Sequence, residues 1–103
     1  MERVQQLAAQ HAVVIFSVST CCMCHVMKNF FRNLGVNAIA YELDQEQGGK
    51  EMERALAMHL GRNPVPAVFI GGRLVGRTEV VMAHHLNGTL GHMLREAGAL
   101  WLL

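Results

Sequence analysis

VVIFSVSTCCMCHVMK, residues Val13 to Lys28, changes its hydrophobic period midway. The first part belongs to AVVIFS (Ala12 to Ser17), a short, β-branched apolar run of the kind that forms a strand buried on both faces. Beyond it Val26, Met27, Phe30, Phe31 and Leu34 give the apolar stripe of a helix, which Thr20 can cap and Gly35 ends. A strand therefore feeds a helix N-terminus, and the only cysteines of the chain, Cys21, Cys22 and Cys24, stand at that junction.

Upstream, Glu2 to Gln10 reads as a short amphipathic helix with Val4, Leu7 and Ala8 on one face. Downstream, NAIAYEL (Asn37 to Leu43) returns as a strand, and a helix from about Gly49 to Leu60 is apolar at Met52, Leu56 and Leu60 before Gly61 stops it. VPAVFIGGRLVG then reads as strand, Gly71-Gly72 turn, strand. Thr78 to about Ala97 is helical, with an interruption near Asn87-Gly88. This order predicts a parallel strand pair crossed over by a helix, followed by an antiparallel hairpin. The expected architecture is α/β, a sandwich of the thioredoxin-like kind with a central four-stranded mixed sheet flanked by helices. No internal repeat, linker or low-complexity stretch divides residues 1–103, which read as one domain.

Half of the residues (51%) are apolar and the net charge is +1, which suits a compact soluble protein and gives no electrostatic footprint for nucleic acid. The longest apolar runs are too short to span a bilayer. MERVQQLAAQHAVVIF has an early glutamate and a polar amphipathic stretch where a signal peptide needs a charged start and an apolar block, so an intracellular, thiol-reducing location is expected.

Cys21 and Cys24 form a C-x-x-C at the start of a helix. Unpaired N–H groups and the helix dipole there stabilise a thiolate, the nucleophile in disulfide exchange. A second cysteine three residues on can resolve the mixed disulfide. Cys21, nearer the helix tip, is the better nucleophile, Cys24 fits the resolving role, and Cys22 has no assigned task. Other chemistries compete for these residues. Cys21 to His25 also matches C-x-x-C-H, the c-type haem attachment pattern, which the missing export signal and the strand–helix setting disfavour. A structural zinc site needs a second ligand pair, and the histidines His11, His25, His59, His84, His85 and His92 offer none at ligand spacing, so no metal is assigned. Structural disulfides suit neither the odd count nor the crowding. Redox chemistry is the favoured class.

Val65-Pro66 opens a buried strand and is well placed for a cis peptide bond that leaves the Val65 backbone free for an extended substrate. Several other groups take a plain reading. Met52, Met58, Met82 and Met93 fall on apolar helix faces as core filler, and adjacent His84 and His85 mark a helix surface. Glu42, Asp44, Glu46, Glu51 and Glu53 look like a solvated face.

VVIFSVSTCCMCHVMK, NPVPAVFIGGRLVG and the terminal AGALWLL together resemble the plant CC-type glutaredoxins, also called class III or ROXY proteins, over essentially the whole chain. The resemblance implies a thioredoxin fold, a glutathione site, a cytosolic and nuclear location, and binding to TGA-type basic-leucine-zipper transcription factors. It implies Cys21 as the nucleophile that is glutathionylated during turnover and Cys24 as its resolving partner. Val65, beside Pro66, would pair with the cysteinyl backbone of glutathione, Arg62 would meet the glycine carboxylate, and Thr78 and Glu79 would hold the γ-glutamyl end. Substrates would be glutathionylated or disulfide-containing proteins.

The chain departs from many catalytic glutaredoxins at Val18 (usually lysine), Pro64 (usually threonine), Arg77 (usually glycine) and Glu79 (usually aspartate), which bears on catalytic efficiency. A second expectation is therefore a catalytically weak adaptor that binds TGA factors through Ala99, Leu100, Trp101, Leu102 and Leu103, although those residues would also serve simply to close the core. The co-repressor motif L-x-x-L-L of the family appears only as the looser LGHML, Leu90 to Leu94. A third is a [2Fe–2S] cluster shared between two chains through Cys21 and two glutathiones, since such a cluster takes four thiolates.

Overall fold

In the computed structural model, which describes residues 1–99, the two continuous apolar runs become the central strands of the sheet. β1 (Val13–Ser17) and β3 (Ala67–Ile70) are buried at every position, while β2 (Ile39–Glu42) and β4 (Arg73–Gly76) form the edges. The strand order is β2-β1-β3-β4. β1 and β2 are parallel, with Ser17 opposite Glu42; β1 and β3 are antiparallel, with Phe16 opposite Ala67; β3 and β4 are antiparallel. The four-stranded mixed sheet flanked by helices is the expected one.

Alternation along β1 divides the core. Val14 and Phe16 meet α1 (Glu2–Ala8) and α3 (Gly49–Leu60) through Val4, Leu7, Met52 and Leu56. Val13 and Ile15 meet α2 (Cys22–Asn33), α4 (Thr78–Leu86) and α5 (Thr89–Glu96) through Met27, Phe31, Val81, Leu90 and Leu94. The β3–β4 turn uses Gly71 and Gly72 at φ 61° and 81°, the left-handed pair that a two-residue hairpin requires. The break expected near Asn87-Gly88 separates α4 from α5, with Gly88 at φ 84°.

Three expectations need correction. Cys21, not Thr20, caps α2. Val26 and Met58 are exposed, at 49% and 87%: Val26 lies at the edge of the α2 stripe, and Met58 lies on the face of α3 opposite Leu56, away from the sheet. Glu42 is no part of a solvated face: its carboxylate is bound by Lys28 and Ser17.

Candidate active site

The antiparallel register brings three chain segments to one end of the sheet. β1 leaves there into the cysteine loop; Val65 and Pro66 precede β3 beside Ser17 and Val18; and β4 leaves there into α4. Cys21, the Val65-Pro66 step and the head of α4 thus lie at the same end, although they are far apart in sequence.

The loop that carries Cys21 is braced on both sides. Cys21 N–H donates to Val18 O at 3.1 Å. Ser19 N–H donates to Asp44 Oδ1 at 3.1 Å, and the Ser19 hydroxyl donates to the other carboxylate oxygen. These bonds hold the Asp44 carboxyl below its ordinary value. His25 Nε2 donates to Ser19 O at 3.2 Å.

Cys21 is the N-cap of α2, with extended backbone (ψ 116°), and its Sγ accepts the Cys24 N–H at 3.1 Å. A thiol thus does what a serine or aspartate oxygen does at other helix starts. All three thiols are free: Cys21 is half-buried, Cys22 exposed and Cys24 buried. Burial, reinforced by the contact with the Cys21 sulfur, pushes the Cys24 thiol up to about 12; the Val18 backbone and the Lys28 charge oppose that rise without cancelling it. One sulfur is thus presented outward and a second, protonated, waits directly behind it.

Val65-Pro66 is cis. Among the described residues, neither polar backbone group of Val65 makes a backbone hydrogen bond. Thr78 opens α4, whose cap residue Arg77 makes no side-chain cap. The Thr78 Oγ1 and Arg77 Nε atoms are buried without a protein partner, and Glu79 is exposed. Arg62 is exposed and lines a shallow groove of about 340 Å³ with Lys50, Glu53, Arg54, Ala57 and Pro64. Roomier cavities of about 500 and 480 Å³ lie against β4–α5 and α1–α3, away from the cysteines.

Beneath the cysteine loop lies a cluster that the sequence reading missed. Lys28 Nζ donates to Glu42 Oε2 at 2.7 Å, and the buried Ser17 hydroxyl donates to the same oxygen. Burial alone would raise the Glu42 carboxyl, but the bonds from Lys28 and Ser17 outweigh it and hold the carboxyl below its ordinary value. No local spacing signals the cluster, whose other members, Lys28 and Ser17, stand 14 and 25 residues from Glu42 along the chain.

Among the described residues no three His, Cys, Asp or Glu side chains converge as a metal site. The expected iron–sulfur cluster would take one Cys21 thiolate from each of two chains and two from glutathione, and Cys21 is free and half-buried at the helix cap. Ala99 is half-buried against the α5 side of the core, and its N–H donates to Leu94 O at 2.9 Å. Leu100, Trp101, Leu102 and Leu103 lie outside the described residues. Leu90 and Leu94, the ends of LGHML, are both 1% exposed and belong to the core.

Residues 13–75 match the family model for glutaredoxin. Glutaredoxin-C1 of Oryza sativa subsp. japonica is 63% identical over 103 residues, covering 99% of this chain and all (100%) of that protein. Putative glutaredoxin-C14 of the same plant is 60% identical, with 99% and 100% covered. Among solved structures, a buckwheat glutaredoxin–glutathione complex superposes with a TM-score of 0.89 at 39% identity, covering 97% of this chain and 91% of that one. The holo form of glutaredoxin C1 from Populus tremula x tremuloides gives 0.85 at 33%, covering 93% and 95%.

Proposed function

The chain belongs to the glutaredoxin family, and on that premise we propose that it is a glutathione-dependent thiol–disulfide oxidoreductase that works through Cys21 and Cys24. The carrying observation is the half-buried Cys21 sulfur at a helix cap, held by the Cys24 N–H, with the protonated Cys24 thiol behind it.

The Cys21 thiolate attacks the glutathione sulfur of a protein–glutathione mixed disulfide. The Cys21–glutathione bond forms, the protein–glutathione bond breaks, and the electron pair leaves on the protein sulfur, which takes a proton from solvent. The thiolate of a second glutathione then attacks the mixed disulfide, forming oxidised glutathione and returning Cys21 as thiolate. With a protein disulfide as substrate, Cys24 displaces the target from Cys21 and leaves a Cys21–Cys24 disulfide.

Glutathione is assigned to the surface between Arg62, Val65, Pro66, Thr78 and Glu79. Three observations support this: the unpartnered Val65 backbone, the unpaired Thr78 hydroxyl at the head of α4, and the relation to the glutathione-bound buckwheat protein. The decisive test is deglutathionylation of a model peptide, coupled to glutathione reductase and NADPH. Turnover is expected in the wild type and at background in Cys21→Ser; full turnover in that variant overturns the assignment.

A partner role stands beside catalysis. The tail from Ala99 to Leu103 is assigned to TGA-type basic-leucine-zipper factors, with location in cytoplasm and nucleus, on the strength of its resemblance to the CC class. Deletion of residues 99–103 is expected to abolish that binding in a folded protein, and a folded deletion that binds normally removes the role.

A further inference from the structure

Cys24 is fully buried, and burial holds its thiol protonated far above neutrality. Its proposed task, attack on a mixed disulfide, requires a thiolate. The fold therefore has to supply what water cannot, a charge that favours the anion. Lys28 shares the α2 face of Cys24 at the i+4 position, where Cβ atoms lie about 5–6 Å apart. Its ammonium opposes the rise imposed on the Cys24 thiol by burial.

Lys28 is not a loose surface cation. Its side chain is 23% exposed and that of its partner Glu42 is 21% exposed. The carboxylate oxygen that accepts Lys28 also accepts Ser17, the one buried polar residue among the described residues, and the second Glu42 oxygen is buried with no partner. Ser17 and Glu42 are paired residues at the C-terminal ends of β1 and β2, where the cysteine loop begins. The lysine that ties α2 to the end of β2 stands one turn along the helix from the resolving cysteine.

We infer that Lys28, fixed in place by Glu42, is the positioning cation of the resolving step, stabilising the Cys24 thiolate as it attacks the mixed disulfide on Cys21. This rests on the reading that Cys21 and Cys24 exchange disulfides. In the step, Cys24 gives up its proton to solvent and its sulfur attacks Cys21 Sγ. The Cys21–Cys24 bond forms and the bond from Cys21 to the target sulfur breaks. The target leaves as a thiolate and takes up a proton, so Cys24 is oxidised, the target sulfur is reduced, and Cys21 stays at the disulfide level. The titratable and charged groups acting on Cys24 are Cys21 and Lys28 of α2. Glu42 of β2 reaches it through Lys28, Asp44 acts on Glu42, and β1 contributes the uncharged Ser17 with the Val18 backbone beyond it.

Lys28 is the smallest of the influences on the Cys24 thiol and shares its charge with Glu42, so its loss moves the titration by about one unit at most, the low end for a neighbouring opposite charge. Each unit changes the thiolate fraction tenfold, while the nucleophilicity of the sulfur moves about threefold the other way. Loss of Lys28 is therefore worth up to about threefold at neutral pH. The test is a single-turnover measurement in a Cys22→Ser background. Cys21 is loaded with 5-thio-2-nitrobenzoate, and release of the coloured thiolate by Cys24 is followed by stopped flow across a pH series. Release is expected to slow in Lys28→Met by that factor, with the apparent pKa of the rate displaced upward. Lys28→Arg restores most of the rate, and Glu42→Gln falls between. Wild-type rate and pKa in both Lys28→Met and Glu42→Gln overturn the inference. So does a slower rate with an unmoved pKa, which marks a purely structural contact. Release in Cys24→Ser at the wild-type rate removes both the resolving role and this inference, whereas peptide deglutathionylation, which depends on Cys21, judges the glutaredoxin activity separately.

Discussion

The backbone N–H of Cys24 donates to the sulfur of Cys21 at 3.1 Å, so the second cysteine of the pair holds the first through its main chain while its own sulfur stays buried behind it. The two services are separable, because replacing the Cys24 side chain leaves the donor in place.

Cys24→Ser should therefore keep most of the deglutathionylation rate and lose reduction of protein disulfides to background. Both are read in the glutathione-reductase-coupled assay, with a glutathionylated peptide and a disulfide peptide as the two substrates. Equal loss on both would show that the Cys24 sulfur serves the monothiol route too.

Thiol reactivity should divide the cysteines by burial. Iodoacetamide at pH 8 should label Cys21 and Cys22 in the folded protein and reach Cys24 only after unfolding, as mass spectrometry of tryptic fragments would show. With its thiol near 12, Cys24 holds on the order of one thiolate in a thousand at pH 9. The linkage has a definite sign. The folded value is raised from 9.0, so the stabilising contribution is complete below pH 9 and is lost as pH rises from there toward 12. Thermal unfolding of Cys24→Ala should decline less steeply over that window than the wild type.

Glu42 works at the acid end. Its folded carboxyl lies below the ordinary value of 4.5, so its contribution is present above pH 4.5 and is lost as pH falls through the lower folded value. Glu42→Gln should cost about 1–2 kcal/mol at pH 7, the scale of a hydrogen bond to a charged group, and should flatten the acid limb of a stability profile taken from pH 7 to pH 3. An unchanged acid limb would mean that the Lys28 and Ser17 bonds are not formed in solution.

Gly49, the first residue of α3, is buried against the end of β2, and a Cβ added there would lie 1.8 Å from the Leu43 carbonyl oxygen. The obstacle is backbone, so relief requires moving the helix. Gly49→Ala should destabilise by about 2 kcal/mol or more, read from the urea midpoint at constant slope. Gly35→Ala is the contrasting case: that position has open space and only its positive φ resists substitution, so the cost should be smaller.

The fold was legible where burial on both faces left no ambiguity. VVIF and AVFI are the fully buried strands, the Gly71-Gly72 turn joins the hairpin, and the cysteines fall at a strand–helix junction because the hydrophobic period changes there. The site was legible as far as its chemistry is local. A C-x-x-C at a helix start states nucleophile and partner in four consecutive residues, and proline after Val65 marked the cis step that the structure contains.

The tertiary structure decided everything that depends on which residues face one another across the sheet. Thr20 is the cap the sequence favours, but the loop path set by Val18 and Asp44 puts Cys21 there. Met52 and Met58 stand in the same helix, yet six residues put them on different faces, and only the face of α3 that carries Met52 and Leu56 meets the sheet, leaving Met58 87% exposed. Glu42 looked like one of a run of solvated carboxylates. Parallel pairing sets it beside Ser17 and within reach of Lys28, a meeting of three residues from β1, α2 and β2 that no local pattern encodes. Periodicity carries the interactions of a residue with its near neighbours along the chain; a long-range contact between polar groups has no period, and folding alone brings it about.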